Sequence, residues 1–463
     1  MHVIRQARNV VAGLGLISAI FGCAPKRPVQ LEAPVSVSIE PVAGPSTRRV
    51  APSPSHSFWE GMRNLDPGYA DRNPVSPEEA RFANALRLVL AGDANEAELT
   101  LDSLRSSGTD SLVRTASWIL LTAMLQYQDK WDVLAEIAPR RSDLPAATER
   151  NRAAVEQWAA VLGKIPRRVI SIPSRPTVAG LTLSVAGTPV VSVLVNGKQR
   201  FFWLDTGSSI SIVASDVAAD AGVIPLSRDT LEIVTATGRI PALPSVISRL
   251  QFAGVSITNA KAMIVDTELM QVRSVEGAAE QIPVRIDGIV GFDVLSRMRV
   301  RLDYGAGTVT VAQPSSPPAG TRRHVQRNFF WVGTPMVRLL TARGVPLHFV
   351  LDTGAQETYA TEILPVKAGV RTYPGERRSV AGLAGGRQFR GRFINDIRLW
   401  LGARRLDFRQ MLIFAPAVSS FATWDGILGS DIARTAVVTL DASDGLFTVE
   451  EPSRGGRRLR EGN

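Results

Sequence analysis

The period of the apolar positions changes several times along this chain. Val10 to Gly22 form a largely apolar run of 13 residues, interrupted only by Ser18. From 24 to 57 no period is visible, and seven prolines fall between Pro25 and Pro54. That stretch is expected to stay extended and unordered, because it holds too little apolar surface to offset the entropy of ordering. Between 58 and 165 apolar residues recur at three and four, as in Phe82, Leu86, Leu88 and Leu90, or Leu112, Trp118, Leu121 and Met124. This spacing predicts amphipathic helices. Ser76-Pro77-Glu78-Glu79 marks a helix start, with a serine N-cap, a proline in the first turn and acids at the positive end of the dipole. Beyond Pro173 short runs rich in Val, Leu and Thr take over, and Asn196-Gly197 between two of them predicts a type I′ hairpin. The expected class is mainly β, preceded by an α-helical segment.

The β region repeats itself. FFWLDTGSSISIV at 201–213 carries Asp205 out of an apolar run, and HFVLDTGAQETYA at 348–360 does the same with Asp352, 147 residues later. Gly187-Thr188-Pro189 precedes the first aspartate by 18 residues, and Gly333-Thr334-Pro335 precedes the second by 19. Downstream, DGIVGFDVLSRMRVRLD (287–303) aligns without a gap to DGILGSDIARTAVVTLD (425–441). At ordinary composition one Asp-Thr-Gly is expected about 0.1 times in a chain this long, so two in matching surroundings indicate duplication. The copies span 176–313 and 324–451, joined by a Pro- and Ser-rich linker at 314–323 and followed by a basic tail at 452–463.

Apolar-apolar-Asp-Thr-Gly, then a glycine-bearing hairpin, then apolar-apolar-Gly and a short helix resembles the retropepsin-like aspartic proteases. The resemblance implies two acid-protease β-barrel lobes forming a pseudo-twofold dimer, with Asp205 and Asp352 as a catalytic dyad. Two carboxylates about 3 Å apart cannot both ionise, so one can take a proton from water while the other gives one to a peptide carbonyl. The same resemblance implies that Thr206 and Thr353 reach across the seam to brace it. Gly207 and Gly354 would allow a backbone tight enough for N–H groups to hold the carboxylates. Ser208 could bond to one carboxylate, which Ala355 in the second copy cannot do. Asp293 and Asp431 read as N-caps of the short helices. Flaps closing over a peptide are expected around Gly238 and around Gly382, Gly385 and Gly386. The residues after the motif, Ser208-Ser209 and Ala355-Gln356, depart from the family's usual Ala-Asp, which puts its ion pair there in question.

Residues 1–23 place Arg5 and Arg8 ahead of the apolar run, which is too short to span a bilayer and suits a signal peptide. Ile20-Phe21-Gly22-Cys23 resembles a bacterial lipobox, with Cys23 the acylated residue and the only cysteine in the chain. That resemblance implies a lipid-anchored envelope protein, at the outer membrane and facing the periplasm, on a tether at 24–57. The paired helices of 58–165 resemble tetratricopeptide hairpins and would either dock a protein partner or pack on the next domain.

Net charge is +10, but no aromatic-interleaved basic motif accompanies it, so nucleic acid is not an expected partner. The four histidines, His2, His56, His324 and His348, show no metal-ligand spacing, and neither metal nor cofactor is expected. The leading reading is an anchored aspartic endopeptidase acting on peptides or proteins as an intrachain pseudo-dimer. Its rivals are a non-catalytic peptide-binding or scaffold lipoprotein of the same fold, and a protease whose lobes pair in trans.

Overall fold

The computed structural model describes residues 37–41, 55–137, 146–184, 187–273, 283–315, 327–414 and 421–451. Cys23 and its flanking run, most of the linker and the basic tail lie outside the described residues. Strand (40%) outweighs helix (27%), as the periodicity predicts. Among the described residues, every helix longer than seven residues ends by Leu162, and none is long and apolar enough to cross a membrane.

The helical segment begins where its capping signal lies. Ser76 Oγ accepts from the N–H of Glu79 at 3.2 Å, and Glu79 Oε2 accepts from the N–H of Ser76 at 2.8 Å, closing a capping box at the head of helix Pro77–Ala91. The helix stops at Gly92, whose φ of 82° puts it in the left-handed region that favours glycine. Helices Ala94–Ser107, Ser111–Tyr127, Trp131–Ile137 and Ala146–Leu162 follow. Trp118, Leu121 and Met124 are buried as expected, whereas Leu112 is exposed because it lies in the first turn, beyond the packed stripe. This bundle packs on the β lobes. Trp331 Nε1 donates to the carbonyl of Ala123 at 3.1 Å, and Tyr127 stacks on Trp331 and on Phe292, with ring centroids 5.1 and 5.9 Å apart.

In the first lobe, strands Thr177–Leu183, Pro189–Val195 and Lys198–Asp205 form a meander, turned at Asn196-Gly197 with φ of 49° and 88°. Lys198–Asp205 then pairs in parallel with Gly288–Gly291, setting Gly291 opposite Asp205. The second lobe repeats this step: Pro346–Leu351 pairs in parallel with Gly426–Leu428. The DGI(V/L)G glycines are required by close approach. A Cβ on Gly288 would lie 2.3 Å from the ring of Phe202, and one on Gly426 would lie 2.3 Å from the ring of Phe349.

Each lobe closes on a hairpin, Arg299–Asp303 with Thr308–Ala312 and Val437–Asp441 with Leu446–Glu450. Arg299–Asp303 pairs antiparallel with Val437–Asp441, setting Arg301 opposite Thr439. These two residues are equivalent in the duplicated sequence, so a pseudo-twofold axis passes between them.

One expectation fails in the presumed tether. Val37–Pro41 is a strand, paired antiparallel with Arg404–Ile413 with Ile39 opposite Leu406. Val37 is buried, and Arg405 pairs with Glu40 at 2.6 Å. A short alternating apolar sequence is enough here because the sheet of the second lobe offers an open edge for it to cover. Proline content described the average of 24–57 and missed these five residues.

Candidate active site

Asp205 is the last residue of its strand, and Asp352 directly follows Leu351, the last of the equivalent strand. Both half-buried carboxyls therefore arrive at the seam between the lobes on rigid elements. The threonines next to them lock the seam reciprocally. Thr353 Oγ1 accepts from the N–H of Thr206 at 3.0 Å and donates to the carbonyl of Leu204 at 2.7 Å. Thr206 Oγ1 accepts from the N–H of Thr353 at 3.0 Å and donates to the carbonyl of Leu351 at 2.8 Å. Each hydroxyl thus satisfies one buried donor and one buried acceptor of the opposite lobe.

The glycines hold the carboxyls in two ways. Gly207 N donates to Asp205 Oδ1 at 2.8 Å, and Gly354 N donates to Asp352 Oδ1 at 2.9 Å. Each glycine also makes room for the other lobe's carboxyl. A Cβ on Gly207 would lie 2.5 Å from Asp352 Cγ, and one on Gly354 would lie 2.7 Å from Asp205 Cγ.

Burial pushes both carboxyls up from the ordinary range. Asp352 is raised much further, by burial first and then by the adjacent Asp205 carboxyl. The rise on Asp205 is opposed first by the N–H of Gly207, which donates to it. Two carboxyls this close titrate as a pair and not as separate groups.

Ser208 does not do what the sequence suggested. Its hydroxyl donates to the carbonyl of Ile210 at 2.7 Å instead of to a carboxylate, because the loop turns the side chain toward its own backbone. Asp293 and Asp431 are not N-caps either. They lie inside the first turns of helices Phe292–Leu295 and Asp431–Thr435, which are capped by Gly291 and Ser430. Their carboxyls instead accept from Ser211 Oγ at 3.0 Å and from Thr358 Oγ1 at 2.7 Å. The two hydroxyls in turn accept from Gly291 N and Gly429 N, each at 3.1 Å. Ser211 and Thr358 went unnoticed in the sequence, yet each lies six residues after its aspartate, and aligning the copies reveals both.

Both expected flaps are hairpins. Strand Leu231–Val234 pairs with Arg239–Phe252, with Gly238 in the turn, and Tyr373–Gly382 pairs with Gly385–Leu401, with Gly382 opposite Gly385 and Ala381 opposite Gly386. Their tips meet: a Cβ on Gly238 would be 3.1 Å from that of Ala384, and one on Gly382 would be 2.7 Å from Thr237 Oγ1.

Two lobes each present one Asp-Thr-Gly to a shared seam under paired hairpins. Residues 191–294, within the first lobe, match the family model described as aspartyl protease. The match spans Asp205, Gly288–Gly291 and Asp293 and stops short of the second copy. No curated protein matches the chain. Among solved structures, a retropepsin-like aspartic protease from Rickettsia conorii is similar at 18% identity and a TM-score of 0.21, covering 30% of this chain and 99% of its own. An aspartic proteinase from Irpex lacteus is similar at 9% identity and a TM-score of 0.37, covering 60% of this chain and 98% of its own. Superpositions this loose carry no weight beside the residue geometry.

Proposed function

We propose that this chain is an aspartic endopeptidase whose active site is completed by its own two lobes. The reciprocal Thr206–Thr353 lock supports this reading most, because it places each carboxyl against the glycine of the other copy. In the proposed reaction a water lies between the carboxyls. Asp205 takes its proton as the oxygen attacks the peptide carbonyl carbon, while Asp352 delivers its proton to the carbonyl oxygen. The tetrahedral diol then collapses: the C–N bond breaks, the proton held by Asp205 passes to the leaving nitrogen, and Asp352 recovers its proton from a diol hydroxyl. No covalent intermediate and no cofactor is needed. The flap hairpins would close over an extended peptide and exclude bulk water. The lipobox supports a second element of the proposal, that Cys23 carries lipid and holds the enzyme at the periplasmic face of the cell envelope.

The test replaces Asp205 and Asp352 singly with Asn and assays a peptide library with and without a statin-type inhibitor. Cleavage should fall at least 1,000-fold in each variant, since either change removes one of the two proton-transfer roles. Full cleavage by either single variant overturns the mechanism. Sedimentation of the wild type should show an active monomer, whereas an active dimer would indicate lobes pairing in trans.

A further inference from the structure

Four charged side chains, all at least nine-tenths buried, meet beneath the loop that carries Asp205. Arg168, in the connection between the helical segment and the first lobe, pairs with Asp129 at 3.1 Å and also with Asp293. Its backbone N–H donates to Asp129 Oδ2 at 2.7 Å. Lys261, on strand Val255–Val265, pairs with Asp129 at 3.0 Å and donates to the carbonyl of Pro166 at 3.2 Å. Two cations and two carboxylates make the set neutral, which is the condition under which buried charge is tolerated. Asp129 occupies the turn between helices Ser111–Tyr127 and Trp131–Ile137 with φ of 62°, a left-handed conformation uncommon for a non-glycine residue. The helical segment thus bends its backbone to aim this carboxylate at Arg168.

From Asp293 the connection runs to the dyad in short steps. Its other oxygen accepts from Ser211 Oγ at 3.0 Å, and Ser211 Oγ accepts from Gly291 N at 3.1 Å. The neighbouring Phe292 N donates to the carbonyl of Ser208 at 2.7 Å, within the Asp-Thr-Gly-Ser loop itself. The second lobe is built differently. Asp431 accepts from Thr358 N and Oγ1 and from Ile432 N, all within its own lobe.

We propose that Arg168 and Asp129 are positioning residues for the first half-site, so that the helical segment is part of the catalytic unit and sets the loop bearing Asp205. This rests on the peptidase reading above. Without Arg168, Asp293 would be left buried and uncompensated, and it must then take a proton or turn away from Ser211. A protonated carboxyl holds the Ser211 hydroxyl less strongly and a turned one not at all, so the Gly291–Ser211 contact loosens and the loop can shift, and displacements well below 1 Å matter to a proton-sharing pair.

The test uses the full chain with Arg168→Met, Arg168→Lys and Asp293→Asn. The control, Glu98→Gln, breaks a 2.5 Å pair with Lys130 beside the same turn. kcat and KM are measured well below each variant's Tm, and the Asp205–Asp352 pair is titrated by carboxyl-carbon NMR. Arg168→Met and Asp293→Asn should lower kcat at least tenfold with KM within threefold, and should move the titration of the pair by half a pH unit or more. Arg168→Lys, which keeps the charge and loses the fork, should fall between. Glu98→Gln should lower Tm and leave both readouts alone. Asp293→Asn keeps the size but has one oxygen for two donors, so either Arg168 or Ser211 meets an amide N–H, and it carries the test if Arg168→Met does not fold. A folded Asp293→Asn protein with wild-type kcat and titration overturns the proposal. If the wild type cleaves nothing, the peptidase reading fails and the titration alone decides: a moved titration retains the brace, and an unmoved one removes it.

Discussion

Gly207 and Gly354 invite a turn explanation, and in the sequence that is the only one they offer. In the folded chain neither has a positive φ, and what forbids a side chain is the carboxyl arriving from the other lobe. Gly207→Ala would put a methyl 2.5 Å from Asp352 Cγ and force the carboxyls apart. The expected outcome is a loss of at least 100-fold in kcat with near-ultraviolet circular dichroism unchanged, and a variant with wild-type turnover would refute the steric account. The bracing by Thr206 and Thr353 came from the family resemblance of the motif that both copies carry. The fate of the Ser208 hydroxyl was not, since a serine in a tight loop can turn to a carboxylate or to its own backbone, and only the path of the loop decides between them.

The two aspartate-bearing strands are copies with different environments. Lys198–Asp205 is exposed over its first half, whereas every residue of Pro346–Leu351 is buried. His348 takes the place of Phe201. Its N–H donates to Asp425 Oδ2 at 2.7 Å, and its ring packs edge-on against Phe330, 5.9 Å away. Burial, with Arg338 and Lys367 nearby, holds this imidazole well below its usual pKa. The folded protein therefore binds fewer protons here than the unfolded chain, so stability is lost as pH falls from about 6.5 toward the depressed folded value. Asp425, pushed up by burial and held down by Lys367 at 2.9 Å, faces the same group. His348→Phe, which restores the residue of the first copy, should flatten the fall in stability between about pH 6.5 and 5. Urea midpoints across that range check it, and an unchanged slope counts against the buried histidine as the source. Sequence patterning placed this strand but not its burial, because period two marks one face and both faces are covered here.

At the level of the molecule, the antiparallel pairing of Arg299–Asp303 with Val437–Asp441 makes one seam of two lobes, and Tyr127, Phe292 and Trp331 stack the helical segment onto both. The sequence left the helices open between partner-docking surface and packed bundle. The stack and the Ala123–Trp331 hydrogen bond show a bundle packed on the lobes. Cys23 bears on where this assembly resides. If it is acylated, Cys23→Ser should move the protein from the membrane fraction to the soluble fraction of the envelope and abolish incorporation of labelled fatty acid. Retention at the membrane without label would point to another attachment.

The sequence by itself determined the duplication, the two Asp-Thr-Gly motifs, the helix start at Ser76 and the hairpin at Asn196-Gly197. Each depends on neighbours along the chain or on comparison of one copy with the other. Tertiary structure decided that Gly207 and Gly354 would each face the other lobe's carboxyl, that Val37–Pro41 would find a sheet edge, and that Asp129, Arg168, Lys261 and Asp293 would share one buried site. These four residues are spread over 165 positions, and no periodicity or motif links them. Burial cost and charge balance bring them together, and both terms come into being only once the chain has folded.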